Sequence, residues 1–194
     1  MVNVNAPFGL RAVGELGSNI QNGGTTEYNI IPGLATQIYK GDIVQILANG
    51  TIQQSAAGNA DCLGVFNGCF YDDPTTQKPT WSNYYPGGIT PTGGGLIKAF
   101  VYDDPNKLFE IQGSAILAKT AAVGKNTDIL LAQGNTINGQ SATQMNTALP
   151  PAAASAQLRI VGFSTDPENS DPLTANANWI VRINEHVYSR ATGV

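Results

Sequence analysis

The chain has 194 residues, of which 42% are hydrophobic and only 12% are charged, and its formal net charge is −4. The ten Lys and Arg residues are scattered, which leaves no basic patch for phosphates and predicts no nucleic-acid partner. Abundant apolar residues exclude ordinary disorder, and the 22 Gly and 11 Pro residues predict frequent chain reversals within one compact domain.

The start of the chain has neither the basic nor the apolar region of a secretory signal. The sequence also has no apolar run of the roughly 18 residues that would cross a membrane. We therefore expect a protein that is made in a cytosol and has no membrane partner. A reducing compartment would keep Cys62 and Cys69 free, and their odd spacing places them on opposite faces if they share one strand.

Residues 1–17 are predicted to be extended, because Pro7 forbids a helix around Ala6 and glycines interrupt any periodicity. Two interpretations are open: an N-terminal arm that contacts another protein, or an edge strand folded onto its own domain. Phe8, Leu10 and Val13 need burial in either case. We predict residues 1–17 as the arm and residues 18–194 as a single β-rich domain.

Alternating apolar residues and turn residues predict about ten strands at regular spacing along the rest of the chain. The longer ones are 27–31, 35–39, 43–47, 63–71, 96–102, 107–112, 157–163 and 178–187. Strand and helix patterns do not alternate, and only 114–123 has a helical composition. The predicted fold class is all-β: an antiparallel barrel or sandwich built from hairpins, with long loops and at most one short helix.

Three turns carry specific predictions. Asn49-Gly50 predicts a two-residue type I′ hairpin between 43–47 and the short run that follows it. Asn67-Gly68 lies inside 63–71 and indicates either a second hairpin or a bulged strand. The turn at 103–106 predicts a hairpin between the strands on either side of it.

The single histidine does not suggest a catalytic pair. His186 and Glu185 are adjacent in the last strand, so their side chains are predicted to point to opposite faces. The sequence has no nucleophile elbow, no phosphate-binding glycine loop and no zinc-ligand spacing. We therefore predict no catalytic residues, no metal, no cofactor and no enzymatic activity.

Two Tyr-Asp-Asp-Pro motifs occur in the chain, at 71–74 and at 102–105. If the two turns met, their oxygens could bind Ca²⁺, which needs six to eight oxygen ligands. A pair of these carboxylates could instead serve glycoside cleavage. The simpler interpretation, which we favour, is that Asp before Pro initiates a turn and holds no ion.

The proline-rich segment 72–95 is predicted to be a long ordered loop, and it carries Trp81, Tyr84 and Tyr85. Exposed Trp and Tyr residues are common anchors at interfaces, so these three form a candidate interface loop. The same residues could stack a sugar, or pack across the mouth of a barrel.

Six stretches of the chain carry a resemblance to one family. They are APFGLRAV at 6–13, EYNIIPGLATQIYKGDIVQILANGTI at 27–52, LGVFNGCFY at 63–71, AFVYDDPNKLFEIQ at 99–112, QLRIVGF at 157–163 and WIVRINEH at 179–186. In their order of hairpins and turns they resemble the capsid decoration, or cement, proteins of tailed bacteriophages.

The resemblance implies a β-rich structural protein that sits as a homotrimer on the outside of an icosahedral phage head, between capsomers, with the major capsid protein as its partner. It also implies that the protein is made in the host bacterial cytoplasm and is then located on the outer surface of the virion. No catalytic residues come with it. The arm is expected to contact the shell through Val4, Pro7, Phe8, Leu10, Arg11 and Val13. The alternative is a glycan-binding module of a phage fibre or adhesin.

Overall fold

The computed structural model describes residues 3–17, 24–147, 154–165, 167–191 and 194. Across these ranges strands dominate, and the only α-helix is α1 (Lys119–Ala122). The all-β class with one short helix is therefore confirmed. The strands are β1 (Arg11–Glu15), β2 (Thr26–Ile30), β3 (Ile38–Tyr39), β4 (Ile43–Ile46), β5 (Ile52–Gln54), β6 (Cys62–Asp72), β7 (Pro79–Ser82), β8 (Tyr84–Tyr85), β9 (Ile97–Tyr102), β10 (Lys107–Gln112), β11 (Asn126–Thr127), β12 (Ile129–Leu130), β13 (Gln144–Met145), β14 (Leu158–Phe163) and β15 (Asn178–Ile183).

Two large antiparallel sheets contain most of the strands. One has five strands in the order β1-β10-β15-β14-β11, and the other has the order β2-β9-β6-β4-β5 with β7 paired to β6. Two short ladders join β3 to β8 and β12 to β13. Apolar side chains of both large sheets meet in one core cluster, where Ile43 and Val65 pack with Phe109 and Trp179. The described residues therefore form a sandwich, one of the two predicted architectures.

The six-stranded sheet is buried on both of its faces near β4. Ile43 belongs to the cluster between the sheets, whereas the next residue, Val44, belongs to a second cluster that also contains Tyr85. Neighbouring residues of a strand point to opposite faces, so a strand that is covered on both sides needs consecutive apolar residues. Leu34 and Ile89 pack against the second cluster from the connecting segments.

β6 is a single bulged strand and not a hairpin, so the second interpretation of the Asn67-Gly68 dipeptide is the correct one. Two consecutive residues of β9 pair with Phe66 and Gly68, which makes Asn67 the extra residue. An extra residue reverses the facing of all the residues that follow it. Phe66 and Cys69 therefore lie on the same side of the sheet, in the second cluster.

The β4–β5 hairpin is confirmed, but its turn is not the predicted type I′. Gly50 has a φ of 78°, whereas Asn49 is not among the described residues with positive φ. The Leu47 N–H donates to the Thr51 carbonyl, and the Gly50 N–H donates to the Leu47 carbonyl (2.8 Å each). This is a three-residue loop, a type I turn followed by a left-handed glycine, and it is the next most common hairpin connection.

The predicted hairpin across 103–106 is wrong. β9 lies in the six-stranded sheet and β10 in the five-stranded sheet, so the turn carries the chain from one layer to the other. The strands predicted at 27–31 and 35–39 are close in sequence but have different partners, since β2 pairs with β9 and β3 pairs with β8. Alternation is a local property of each strand, whereas its partner depends on which faces can be buried together.

Candidate functional site

The N-terminal segment, residues 3–15, lies along its own domain. Asn3 Nδ2 donates to the carbonyl of Asp171 (2.8 Å). Further along the segment, β1 pairs with β10 as the edge strand of the five-stranded sheet. The edge-strand interpretation is therefore the one observed for these residues. The first two residues of the predicted arm lie outside the described ranges.

The apolar residues assigned to capsid contact differ in exposure. Val4 and Val13 are exposed, whereas Pro7 and Phe8 are half-buried. Leu10 is only 3% exposed and belongs to the core between the two sheets. Leu10 is therefore a core residue of this chain, and the exposed apolar surface of the segment lies at Val4 and Val13.

Arg11, the remaining residue assigned to capsid contact, is held to the five-stranded sheet by its side chain. Its Nε donates to the carboxylate of Glu110 (3.1 Å), and its Nη2 donates to the same oxygen. Glu110 is buried and also accepts hydrogen bonds from Ser164 Oγ (2.5 Å) and Asn178 Nδ2 (3.2 Å). A buried carboxylate is costly without such partners, so Arg11 has a structural role.

A groove of about 370 Å³ lies beside the N-terminal segment. The apolar part of its lining includes Phe8, Leu10 and Tyr102. Lys40 and Gln140 also line it, and Gln140 Nε2 donates to the Phe8 carbonyl (2.5 Å). The segment that is expected to contact a partner therefore borders an open recess.

The three aromatic residues of the predicted interface loop do not form one surface. The segment is mostly loop, as predicted, but Trp81 lies in the short strand β7 and Tyr84 and Tyr85 form β8. Tyr85 is fully buried in the second cluster, and its hydroxyl donates to the Leu34 carbonyl (2.8 Å). Tyr84 is half-buried and its ring stacks on Tyr39, with the centroids 5.4 Å apart. Of the three, only Trp81 is exposed, at 49%. A sugar-stacking platform of all three rings is therefore not assembled.

Trp81 lies across the glycine of the β6 bulge. A Cβ atom at Gly68 would come within 2.5 Å of the indole, so the ring occupies the space over this glycine. The indole packs on Phe100 with ring centroids 5.2 Å apart, and Phe70 lies opposite Trp81 in the β6–β7 ladder. Residues directly opposite in a ladder share a face. Trp81, Phe70 and Phe100 thus form what we call the aromatic shelf.

Replacing Gly68 with Ala is expected to displace the Trp81 indole and to lower the free energy of unfolding by roughly 1–3 kcal/mol, because the added methyl group overlaps the ring. Near-UV circular dichroism and urea unfolding measure the two effects. The matched control is Gly68→Ala made in a Trp81→Ala background, because the φ of 148° at Gly68 is then the same but the indole is absent. Equal losses with and without the indole would show that backbone strain, and not the Trp81 contact, is responsible.

The two Tyr-Asp-Asp-Pro turns lie at opposite ends of β6. Tyr102 pairs with Val65 near the start of β6, whereas Asp72 is the last residue of this strand. At about 3.3 Å per residue, the two turns are roughly 20 Å apart. The two turns are therefore too far apart to share a calcium site or a catalytic pair of carboxylates, and both of these interpretations are wrong.

Each of these turns is held by one of its own aspartates. The Asp73 carboxylate accepts from the Thr75 N–H, and the Asp104 carboxylate accepts from the Asn106 N–H (2.8 Å each). Backbone N–H donors of this kind lower the pKa of Asp73. No group of three or more His, Cys, Asp or Glu residues is placed to hold a metal ion in the described part of the chain. These contacts are the ones that the simpler interpretation, Asp as a turn residue, requires.

His186 is buried just after the last strand. Its Nδ1 accepts from the Tyr188 N–H (3.2 Å), and burial lowers its pKa. The hydroxyls of Tyr188 and Tyr28 are 2.8 Å apart, and Tyr28 donates to Asp103 (2.7 Å). These contacts attach the C-terminal segment and β2 to the turn that connects the two sheets.

Sequence reasoning missed a surface that is defined by the absence of charge. The three longest stretches without Asp, Glu, Lys, Arg or His are 43–60, 79–97 and 129–158. They contact one another in the fold: Asn83 Nδ2 donates to the Asn138 carbonyl (3.4 Å), and Gln54 lines a hollow of about 280 Å³ together with residues of the third stretch. We call the exposed part of their described residues the neutral surface. Two cations border it: Lys98, which pairs with Phe70 opposite Trp81, and Lys40, whose N–H donates to the Gly139 carbonyl.

Several large apolar side chains are exposed on the neutral surface. They include Trp81 and Leu131, and Ile137 is 95% exposed. The lengths of the uncharged stretches can be read from the sequence, but their packing against one another cannot. A search of the sequence for its longest runs without charged residues would have found the three stretches.

A buried carboxylate connects two of the uncharged stretches. Asp42 is fully buried and accepts from Gln54 Nε2 (2.8 Å), Ser141 Oγ (2.5 Å) and Thr143 Oγ1 (3.3 Å), as well as from the Tyr39 N–H (2.9 Å). Burial raises the pKa of Asp42, because the charged form loses its water. The buried Asp42 carboxylate therefore links the stretch 43–60 to the stretch 129–158 below the neutral surface.

Comparisons with protein-family models, with curated proteins and with solved structures found no match to this chain. Within the described ranges, none of the helices is long and apolar enough to span a membrane. The function is therefore inferred from the residues of the chain itself.

Proposed function

We propose that this chain is a structural virion protein that binds the outside of an icosahedral phage head and stabilises it by clamping neighbouring capsomers. The observation that carries the proposal is the neutral surface, on which Trp81, Leu131 and Ile137 are exposed. The resemblance of the sequence to tailed-phage cement proteins supports the same function. The proposed partners are the major capsid protein and further copies of this chain in a homotrimer.

An uncharged surface is suited to lasting contact with another protein. Burying a charged group costs much free energy unless it is paired, whereas amides and hydroxyls need only hydrogen bonds that the partner or trapped water can supply. The cores of protein interfaces are depleted of charged residues for this reason. The neutral surface therefore has a small desolvation cost on binding.

The protein can clamp neighbouring capsomers if it binds several capsid subunits at once. The contacts between capsomers are where a DNA-filled shell first separates under outward load. A standard interface buries roughly 800 Å² per partner, and linking several binding units raises the effective concentration of each remaining contact. A homotrimer placed over such a junction adds contact area where separation would begin.

The N-terminal segment is proposed to extend this contact. Val4 and Val13 expose apolar surface, and Phe8 borders the groove. Because Leu10 and Arg11 hold the segment to its own domain, the contact is expected to come from a docked segment and not from a free arm.

The proposal predicts that the purified protein binds expanded capsids at a fixed stoichiometry and raises the temperature at which they rupture. Cosedimentation and thermal release of DNA measure the two effects. The double variant Val4→Ser/Val13→Ser is expected to bind several-fold more weakly and to fold normally, because both side chains are exposed. Failure of the unmodified protein to bind any form of the capsid would overturn the proposal.

A glycan-binding module is the second candidate, and the aromatic shelf favours it. Trp81 presents an exposed ring beside Phe70, and the apolar face of a sugar can pack on such a ring. Glycan-array binding that is lost in Trp81→Ala, in a protein that does not bind capsids, would favour this function over capsid attachment.

A further inference from the structure

The groove beside the N-terminal segment, about 370 Å³ in volume, is lined by residues of both large sheets. β1 of the five-stranded sheet contributes Ala12, and β6 and β9 of the six-stranded sheet contribute Val65 and Tyr102. Clefts that bind small ligands commonly have volumes of roughly 300–1,000 Å³. The groove is therefore large enough to hold a small organic ligand or the end of a chain.

The walls of the groove are held together by hydrogen bonds to the backbone. The Leu10 N–H donates to the Gly41 carbonyl (2.8 Å). Gln140 Nε2 donates to the carbonyls of Phe8 (2.5 Å) and Lys40 (3.2 Å). Three separate parts of the chain are joined in this way, so the groove is formed before anything binds to it. A preformed site loses little conformational entropy on binding.

Three polar side chains line the groove with hydrogen-bonding groups to spare. Within the described ranges, Lys40 forms no ion pair and Asn67 forms no side-chain hydrogen bond. Gln140 donates through Nε2, but its Oε1 accepts from none of the described residues. All three side chains are half-buried. Together they offer a bound molecule one cation, one whole amide and one amide oxygen.

The bulge of β6 places Asn67 at the groove. Phe66 and Gly68 pair with consecutive residues of β9, so Asn67 is the extra residue of the bulge. Bulges are frequent beside functional sites, where they redirect a side chain. Because the Asn67 side chain forms no hydrogen bond within the described part of the chain, its amide is left for a ligand.

The charge of the groove selects an anion as its ligand. Arg11 and Lys40 line it, and no Asp or Glu is among the described residues of the lining. Arg11 already donates to the Glu110 carboxylate through Nε and Nη2, so Lys40 is the cation that is left for a ligand. One lysine balances the single charge of a carboxylate, whereas a phosphate monoester carries close to two charges. The groove therefore favours a carboxylate.

The rest of the lining defines the rest of the ligand. Phe8, Leu10 and Tyr102 supply apolar surface, and an apolar group that packs there is removed from water. The Oε1 atom of Gln140 can only accept a hydrogen bond, so the ligand should carry an N–H or O–H donor. A carboxylate, an N–H and an apolar side chain occur together in the last residue of a polypeptide.

We infer that the groove binds the carboxyl end of a peptide whose last residue is apolar. Lys40 and the Asn67 amide bind the carboxylate, and Gln140 accepts from the peptide N–H. The apolar side chain packs on Phe8 and Tyr102. This site needs no capsid, so it goes beyond the proposed function and does not depend on it.

N-acetylphenylalanine is the smallest probe that carries all three features, and NMR titration of isotope-labelled protein measures its binding. The side-chain NH₂ signals of Asn67 and Gln140 are expected to shift and to saturate, with a Kd of about 1 mM for a probe of this size. N-acetylphenylalanine amide lacks the negative charge and is expected to bind at least about 10-fold more weakly. N-acetylserine lacks the apolar side chain and is expected to bind about 10-fold more weakly than the phenylalanine probe.

Lys40→Gln is expected to weaken binding of N-acetylphenylalanine roughly 10-fold, whereas Lys40→Arg keeps the charge and most of the affinity. Lys78→Gln is the matched control and is expected to bind like the unmodified protein. Lys78 also forms no ion pair within the described ranges, but it lies beside Asp73 at the far end of β6. Asn67→Asp keeps the size of the side chain and adds a negative charge, so it is expected to abolish measurable binding. Thermal unfolding checks that each variant is folded.

Equal affinity for N-acetylphenylalanine and its amide would overturn the carboxylate as the recognised group. Equal affinity of Lys40→Gln and the unmodified protein, or equal weakening by Lys78→Gln, would overturn Lys40 as its partner. Equal or tighter binding of N-acetylserine would overturn the apolar part of the site. If the Asn67 and Gln140 signals do not shift and saturate, the groove is not the binding site.

Discussion

Deletion of residues 1–13 is expected to lower the unfolding temperature by about 10–20 °C, and not merely to weaken attachment to a partner. Leu10 is 3% exposed in the core between the sheets, and removal of such a side chain costs about 2–5 kcal/mol. Arg11 is also lost, which leaves Glu110 as a buried carboxylate without its cation. A total loss of at least about 5 kcal/mol corresponds to a shift of this size for a chain of this length.

Differential scanning calorimetry of the truncated and full-length proteins checks this expectation. Val4→Ser/Val13→Ser is the control, because it removes exposed apolar surface and leaves Leu10 and Arg11 in place. Its stability is expected to stay within about 1 kcal/mol of the unmodified protein. A truncated chain that melts at the full-length temperature would show that the segment is a separable arm.

Asp42→Ala is expected to lower the free energy of unfolding by about 3–5 kcal/mol at neutral pH. The Asp42 carboxylate is fully buried and accepts from Tyr39, Gln54, Ser141 and Thr143. Alanine leaves these buried donors without an acceptor, and each unsatisfied donor costs about 1–3 kcal/mol. Urea unfolding monitored by circular dichroism gives the free energy.

Asp42→Asn is the control that separates hydrogen bonding from charge. Its carbonyl oxygen can still accept from Tyr39 and Gln54, while its NH₂ group can donate to the hydroxyl oxygens of Ser141 and Thr143. Most of the stability is therefore expected to be retained. A loss as large as that of alanine would contradict the assignment of the effect to these four hydrogen bonds.

The unmodified protein and Asp42→Asn also differ in how their stability is expected to depend on pH. Burial raises the folded-state pKa of Asp42 above its ordinary value of 3.8, so between the two pKa values the folded state binds more protons than the unfolded state. The contribution of Asp42 is therefore full below about pH 4 and decreases as the pH rises through the folded pKa. The stability of the unmodified protein relative to Asp42→Asn should fall over this range, and a rise would contradict the direction of the shift.

Most strands were predictable because alternation and turn chemistry act over a few residues. The predicted strands 157–163 and 178–187 appear as β14 and β15, with ends shifted by at most four residues. The Asn49-Gly50 hairpin was predictable because glycine favours positive φ at this position, which Gly50 adopts. The length of the hairpin loop was not predictable, since one residue more or less in the turn leaves the local pattern of apolar residues almost unchanged.

The candidate site was only partly predictable. Trp81 and Tyr85 stand four residues apart with similar aromatic character, yet one is exposed and the other is fully buried. Local pattern cannot separate them, because Tyr85 is buried by residues such as Ile38 that come from another part of the chain. The neutral surface was missed for the same reason.

By itself the sequence determined the all-β class, the short helix, the positions of most strands and the uncharged character of residues 129–158, because propensity and composition are local. Only the tertiary structure decided that β9 and β10 lie in different sheets, that residues 11–15 form an edge strand, and that Ile137 stays exposed. The reason is that pairing and burial depend on which distant residues arrive at the same place, and that choice is made by the whole core at once.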